Sequence, residues 1–352
     1  MFRFELYKAL RKKELLLFFI IGIIIEVFIA GQDNRLIPGD LNVKIYKEYM
    51  NELDGKYTNK KQQWIMSEQE KYQEYIEEKT IAEEKYDNDK IDAQEYKTAI
   101  RHYKEASVKL PTLTFVLNRS IYLEEIADNS DNVNFFYDLD ADDYIKNMGV
   151  DIVVILLITI FAVHIFGEDY NCGTDNIVAT CEKGRKKLFV ARLKCVLLIS
   201  FVAGAVFPII EYAVKSYKYD LGNLNSDIKC LESMSDCGLS LTIKEYLLMC
   251  TAVRIMAAIL FGIIVSGVII LIKNTIAAYV VSVAVVYLPY LLYDTFGKLI
   301  NQISLCKGFG VYKGFYKPQK IFGIHGMIIW AILYIIIDII ILTVLKKKKY
   351  NN

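Results

Sequence analysis

Long apolar segments alternate with polar stretches of very different length along this 352-residue chain. A bilayer-spanning helix needs roughly 20 mainly apolar residues. Segments of that kind lie at 15–30, 149–167, 188–212, 246–272, 275–294 and 322–345. The pattern therefore predicts an all-α integral membrane protein with six transmembrane helices and a helical insert between the first and the second.

The first apolar segment also resembles a secretory signal peptide, because basic residues precede it. However, Glu26 interrupts the apolar run, and Phe28 stands where a cleavage site requires a small side chain. We therefore interpret residues 1–30 as a cytoplasmic interface helix followed by an uncleaved first span. Residues 149–352 then hold the other five spans.

The polar insert at 31–148 has the pattern of a helical domain. A short helix is predicted at 42–54, where Gly55 ends it, and Thr58 can cap a long helix that reaches about Tyr86. These caps place two helices in the first half of the insert.

A further helix is predicted to begin at the capping box Asp92-x-x-Glu95 and to stop near Lys109, before Pro111. Apolar and aromatic positions would let the two long arms pack as an antiparallel hairpin: Trp64, Ile65, Tyr72, Tyr75 and Ile76 on one, and Ile91, Tyr96, Ile100 and Tyr103 on the other. The sequence leaves open whether this hairpin is a rigid spacer or a domain that gates substrate or binds a partner.

Charge divides the chain in the same way. The whole chain is 54% hydrophobic and 24% charged. Residues 31–148 hold 25 acidic and 16 basic side chains, whereas the rest of the chain holds 16 acidic and 26 basic ones. An acidic insert within a basic, apolar remainder is typical of a membrane protein and argues against a soluble enzyme.

The basic residues also predict an orientation in the cell membrane. With both termini in the cytoplasm, 16 Lys and Arg residues lie inside and nine lie in the short outer loops, in keeping with the positive-inside rule. The insert is then extracellular. The segment 297–322 runs against this rule, because it is basic and has no acidic residue. We retain six spans because an odd number would place the tetralysine 346–349 outside.

Sequence motifs for catalysis are missing. The chain contains no GxxxxGK[ST] phosphate loop, no HExxH and no GxSxG, so neither an ATPase nor a hydrolase is expected. Its three histidines lie far apart along the chain, which predicts no metal site. Cys230 and Cys237 share the predicted outer loop 213–245, where their spacing permits a disulfide without requiring one.

Four ionisable residues lie within or at the ends of the predicted spans: Glu26, Glu211, Arg254 and Asp338. Such residues are costly in a bilayer and are candidates for function. Glu26 and Arg254 lie at similar depth and can pair, with Glu211 as a competing partner, whereas Asp338 is alone. Structural ion pairs between helices are favoured over a polar translocation path.

The stretch between the second and third spans has the signals of a short helix at 174–184. Thr174 is a good N-cap, Asp175 suits the positive end of the helix dipole, and Gly184 can end the helix. Ile177 and Val178 lie on one face. The amphipathic pattern favours docking of a protein over a position on the lipid headgroups.

At these residues the chain resembles the type-2 permease family of ATP-binding-cassette (ABC) exporters. Members share a (Glu/Asp)-Tyr-x-x-Gly-Thr loop, a following Arg and a Lys within the next span, matched here by Asp169-Tyr170, Gly173-Thr174, Arg185 and Lys194. The segment 241–246 is also similar. The amino terminus resembles the family's interface helix at Phe4, Leu6, Tyr7 and Arg11. The insert at 31–148 is a departure from the family pattern.

The resemblance implies a permease that binds no cofactor and works as a homo- or heterodimer with two copies of a separate ATPase, which binds ATP and Mg. The segment that contacts the ATPase would be Glu168, Asp169, Tyr170, Gly173, Thr174, Asp175, Ile177, Val178 and Arg185. The acidic insert favours an amphipathic or antimicrobial peptide as substrate, and no nucleic acid is expected. The alternative is a membrane sensor that binds a ligand through 31–148, although six spans with intramembrane charges favour transport.

Overall fold

The computed structural model describes residues 1–32, 37–88, 90–128, 130, 132–172, 182–272, 274–291, 304–310, 320–321 and 324–350. These residues are mostly helical, which confirms the all-α prediction at that level. The helices are α1 (Phe2–Arg11), α2 (Lys13–Ala30), α3 (Val43–Glu52), α4 (Asn59–Asp87), α5 (Ala93–Ala127), α6 (Leu139–Lys146), α7 (Ile152–Cys172), α8 (Glu182–Lys218), α9 (Ile243–Ile272), α10 (Thr275–Leu291), α11 (Cys306–Phe309) and α12 (Gly326–Tyr350).

The strands are short and pair antiparallel. β1 (Gly55–Lys56) pairs with β2 (Asn134–Phe135), and β3 (Lys320–Ile321) pairs with β4 (Ile324–His325).

Three of the described helices are long and apolar enough to cross a membrane: Lys187–Lys218 within α8, Ile243–Ile272 (α9) and Gly326–Val344 within α12. Shorter apolar helical stretches lie at Ile152–Gly167 and Thr275–Pro289. Helix α2 has 18 residues, and its sequence includes the charged residues Lys13, Glu14 and Glu26. The three long apolar helices indicate that the protein associates with a membrane.

Helices α8 and α9 run antiparallel and very close together. A Cβ atom added to Gly204 would lie 2.8 Å from the Cβ of Ala258, and one added to Gly262 would clash with Ser200. Small residues at such positions let two apolar helices bring their backbones together. This pair forms the centre of the bundle.

The two ends of the bundle carry different parts of the chain. Helix α1 packs where α2 and α8 begin, and Arg192 of α8 pairs there with Glu5. At the other end, Lys215 Nζ of α8 donates to the carbonyl of Gln32, which follows α2 and precedes the insert. We call these the α1 end and the insert end.

The two long helices of the insert, α4 and α5, pack against each other. Asn42 Oδ1 accepts the amide of Ile45 at 3.3 Å and caps α3, and Gly55 has the positive φ of +98° that favours glycine. Asp92 Oδ1 accepts the amides of Gln94 and Glu95 and caps α5. Thr58 precedes α4, although its side chain makes no capping hydrogen bond.

Aromatic pairs join the two arms of the hairpin. The ring of Tyr75 on α4 stacks on His102 of α5 with centroids 4.3 Å apart, and Tyr86 stacks on Tyr96 at 4.5 Å. The Tyr86–Tyr96 pair lies next to the turn and the Tyr75–His102 pair lies near the middle of the overlap, while Gln62 Nε2 donates to Glu124 Oε2 at 2.8 Å near its far end. These contacts fix the register of the two helices along their length.

The prediction that Pro111 ends the last long helix is wrong, because α5 continues through it to Ala127. A proline removes one backbone hydrogen bond and costs about 3 kcal/mol in a helix interior. The turns after Pro111 bury many side chains, namely Thr112, Leu113, Val116, Arg119, Ser120 and Leu123. Their burial outweighs that cost.

The predicted helix end at Gly184 is also wrong. Helix α8 spans Glu182–Lys218, so Gly184 lies inside it, and the helix continues past this glycine into its long apolar part. Residues 173–181 lie outside the described residues.

Candidate functional site

Arg254 joins four segments at the insert end of the bundle. It lies in α9 and is only 4% exposed. Its Nη1 lies 2.5 Å from Oε2 of Glu211 on α8, its Nε donates to the carbonyl of Phe309 at the end of α11 (3.2 Å), and its Nη2 donates to the carbonyl of Gly149 before α7 (3.4 Å). Since the guanidinium has five donors in a rigid fork, one side chain can hold all three acceptors.

Two further carboxylates face this arginine. Glu26 on α2 is 7% exposed and interacts electrostatically with Asp151, Glu211 and Arg254. Asp151 lies before α7 and caps it, since its Oδ1 accepts the amide of Val154 at 3.0 Å. Of the alternatives predicted for Arg254, the structure selects Glu211 as the ion-pair partner and leaves Glu26 beside the pair.

The sequence analysis did not include Asp151 among the ionisable candidates, because Asp151 lies at the edge of an apolar segment rather than within it. Its signal is nevertheless local: an Asp directly before an apolar run is a common N-cap. The cluster thus contains three carboxylates, Glu26, Asp151 and Glu211, around one guanidinium.

The segment 304–310 reaches into the bundle next to Arg254. Trp330 Nε1 of α12 donates to the carbonyl of Ser304 at 3.1 Å, and the Ser304 hydroxyl donates to the carbonyl of Val286 on α10 at 3.3 Å. Phe309 is buried. This segment therefore ties α10 and α12 to the arginine on α9.

Asp338 lies away from that cluster, on α12. It is 4% exposed, and neither of its carboxylate oxygens has a hydrogen-bond partner among the described residues.

At the α1 end, a second buried ion pair holds the amino-terminal helix. Arg192 Nε of α8 donates to Oε2 of Glu5 at 3.1 Å, and both residues are buried. Leu6 is partly buried against the core, whereas Phe4 and Tyr7 are exposed and Arg11 lies 5.8 Å from the Tyr7 ring. Sequence reasoning missed the pair, because nothing local connects residues 187 positions apart.

The predicted ATPase-contacting segment is described only at its ends. Glu168, Asp169 and Tyr170 lie in the last turns of α7, and Arg185 lies in the first turn of α8. The remaining predicted residues, Gly173, Thr174, Asp175, Ile177 and Val178, lie outside the described residues.

A buried polar network joins the insert to the loop between α8 and α9. Arg119 of α5 is 7% exposed, its Nε lies 3.3 Å from Oδ2 of Asp138, and its Nη2 donates to the carbonyl of Cys230 in that loop. The hydroxyl of Tyr46 donates to the other oxygen of Asp138 at 2.8 Å, and that of Tyr122 to the carbonyl of Lys229 at 2.6 Å. The insert and the loop are therefore joined by buried polar contacts.

The two cysteines of that loop form no bridge in the structure. Cys230 and Cys237 are both free and buried. Burial raises the pKa of each thiol, which disfavours the reactive thiolate. Within the described part of the chain, no cluster of His, Cys, Asp and Glu residues is arranged to hold a metal ion.

The geometry thus offers two buried arginine sites in the helical bundle and an outer polar unit. Comparison with known proteins adds no family to this picture, since no family model, no curated protein and no solved structure matches the chain.

Proposed function

We propose that this chain is the permease subunit of an ABC exporter, with six spans in the cell membrane, both termini in the cytoplasm and residues 31–148 outside. The observation that carries the proposal is the attachment of α1. A buried pair, Glu5 with Arg192, holds this amphipathic helix against the start of α8 while Phe4 and Tyr7 stay exposed. An exposed aromatic face on a rigidly held helix suits a protein partner.

The position of α1 supports a joint ATPase-binding surface. Helix α1 contacts the first part of α8, and α8 begins within the segment 168–187 that resembles the family motif. A separate ATPase docked on α1 and on that segment would therefore push on α8 at two points. The orientation agrees with the positive-inside rule, because the α1 end is basic.

The bundle offers a mechanical route from that surface to the outer end. Helix α8 is 37 residues long and carries Arg192 near its start and Glu211 near its end. Movement of α8 would act through Glu211 on Arg254, and through Arg254 on α9, α11 and the start of α7. In a dimer of such permeases, ATP-driven movement would open and close the space between subunits for an amphipathic peptide. Coupling requires that the ATPase contact the two states differently.

Reversing one charge of the α1 anchor is expected to remove the ATPase. Arg192→Glu would place two carboxylates together in a buried site and release α1, so the amount of ATPase that co-purifies should fall at least about ten-fold. The measurement is co-purification of the tagged full chain from native membranes in mild detergent, with stoichiometry by quantitative mass spectrometry. The matched control is the double charge reversal Glu5→Arg with Arg192→Glu, which should restore binding.

The same preparation tests the proposal itself. A stoichiometric partner with a phosphate loop is expected with the unmodified chain, and Thr174→Lys should leave membrane insertion intact but abolish transport. Co-purification of a histidine kinase, or of no ATPase in several mild detergents, would overturn the permease assignment and favour a sensor.

A further inference from the structure

A cavity of about 340 Å³ lies between α8 and α9 at the insert end. One face of α9 forms its long wall through Lys244, Leu247, Leu248, Thr251 and Arg254. These residues recur at helical spacing, and ten residues at 1.5 Å each make the wall about 15 Å long. The cavity is therefore an elongated slot that runs along the helix, with one basic residue at each end.

The other walls are mainly apolar. Pro208, Ile209 and Tyr212 come from α8, and Tyr144 and Met148 close the slot from α6 and the residues after it. The volume falls at the lower end of the range for small-molecule sites. A slot of this composition suits a hydrocarbon chain better than a polar ligand.

Two of the polar groups on the inner part of the slot are already engaged. Arg254 is paired with Glu211, and the hydroxyl of Thr251 donates to the carbonyl of Leu247 at 3.0 Å. The net charge at the inner end is therefore close to zero. That end would not by itself hold an anion.

The outer end is different, because Lys244 is exposed and forms no ion pair among the described residues. Its neighbour Glu245 is occupied in a capping box, where its carboxylate accepts the amide and the hydroxyl of Thr242. Lys244 therefore presents a positive charge at the mouth of the slot.

The slot opens sideways between two helices that are long and apolar enough to span a membrane. Ile209 of α8 is 59% exposed and Leu248 of α9 is 63% exposed, and both line the opening. In a bilayer these side chains would face lipid tails. A molecule that enters from the side would come from the lipid phase rather than from water.

We propose that this slot binds one acyl chain of an anionic phospholipid, whose headgroup phosphate contacts Lys244. The length and the apolar walls of the slot match an acyl chain, and its sideways opening allows entry from the bilayer. The cation Lys244 at its outer rim matches the headgroup phosphate. The inference rests on the membrane orientation within the proposed function, so the lipid belongs to the outer leaflet, but it needs no ATPase partner.

The test is photolabelling of the full chain in nanodiscs that contain phosphatidylglycerol with a diazirine on its acyl chain. Labels are expected on the peptide that contains Leu247 and Thr251. Thr251→Trp should fill the slot and abolish that label, while phosphatidylcholine carrying the same diazirine should label more weakly. Lys244→Gln should lower labelling by the anionic probe about five-fold, as expected for one lysine at a membrane surface.

Lys218→Gln is the matched control, because Lys218 is an exposed lysine at the same end of the bundle whose ammonium donates to the carbonyl of Gly31 instead. It should leave the label unchanged. Equal labelling of the lipid-facing Phe201 and of the slot, labelling that survives Thr251→Trp, or competition by a free fatty acid but not by phosphatidylglycerol would each overturn the proposal. These results are independent of ATPase co-purification, so failure of one proposal is distinguishable from failure of the other.

Discussion

Replacing Arg254 with alanine is expected to lower the free energy of unfolding by about 3–5 kcal/mol, the usual cost of removing one partner from a buried ion pair. The truncation leaves Glu211 without its cation and removes the donors that serve the carbonyls of Phe309 and Gly149. Three segments around α9 lose a connection at once. Since whole domains are stable by only about 5–15 kcal/mol, much of the helical bundle should become unstable.

Trp330 provides a local reporter for this experiment. It is buried, its indole donates to the carbonyl of Ser304, and the only other tryptophan, Trp64, lies in the insert. With Trp64→Phe as background, fluorescence during denaturant unfolding in mild detergent follows the bundle alone. Arg254→Ala should shift the midpoint strongly.

Two further variants separate the partners of Arg254. Arg254→Met with Glu211→Gln removes both charges and should recover much of the lost stability, because no charge then stays buried unpaired. Arg254→Met with Glu26→Gln should recover less. The reverse order of recovery, or an unchanged midpoint in Arg254→Ala, would contradict the pairing seen in the structure.

The helix ends of the insert were predictable because their signals are local. Asn42, Gly55 and Asp92 act on amides or backbone angles within three residues, so their roles can be read without the fold. The helix end predicted at Pro111 was wrong because that prediction also used only a local signal. The local cost of this proline is real, but the burial of the following turns is a property of the packed insert.

The sequence limited the ion-pair partners of Arg254 to two carboxylates but did not determine which of them pairs with it. Depth along the predicted spans put Glu26 and Arg254 at a similar level, with Glu211 at the outer end of its span as a competing partner, and in the structure Glu211 pairs with Arg254 while Glu26 interacts electrostatically with both. Depth says nothing about which way a helix faces. The close antiparallel contact at Gly204 and Ala258 turns Glu211 towards Arg254, and that contact depends on two distant segments.

The buried arginines follow a common physical rule that the sequence does not display. Arg119, Arg192 and Arg254 each form an ion pair with a carboxylate from another element, at separations along the chain of 19, 187 and 43 residues. No periodic pattern in the sequence indicates which residues pair across such separations along the chain. The requirement that a buried charge be paired explains why each arginine has a partner, but only the fold determines which one.

Arg119→Ala is expected to have a comparably large effect on the outer unit, again about 3–5 kcal/mol. Asp138 would stay buried with Tyr46 as its remaining hydrogen-bond donor, and the carbonyl of Cys230 would lose the guanidinium. Because this contact crosses from the insert to the loop between α8 and α9, the loop should loosen together with the insert. Hydrogen exchange of residues 228–234 should therefore become faster.

Arg101→Ala supplies the control, since Arg101 lies on the same helix and is exposed. It should change neither hydrogen exchange nor the unfolding midpoint followed by Trp64 in a Trp330→Phe background. Arg119→Met with Asp138→Asn should be more stable than Arg119→Ala, because it leaves no unpaired charge. If Arg119→Ala behaves like Arg101→Ala, the insert and the loop are not held together by this arginine. Faster exchange confined to residues 228–234, without loss of insert stability, would instead limit its role to fastening the loop.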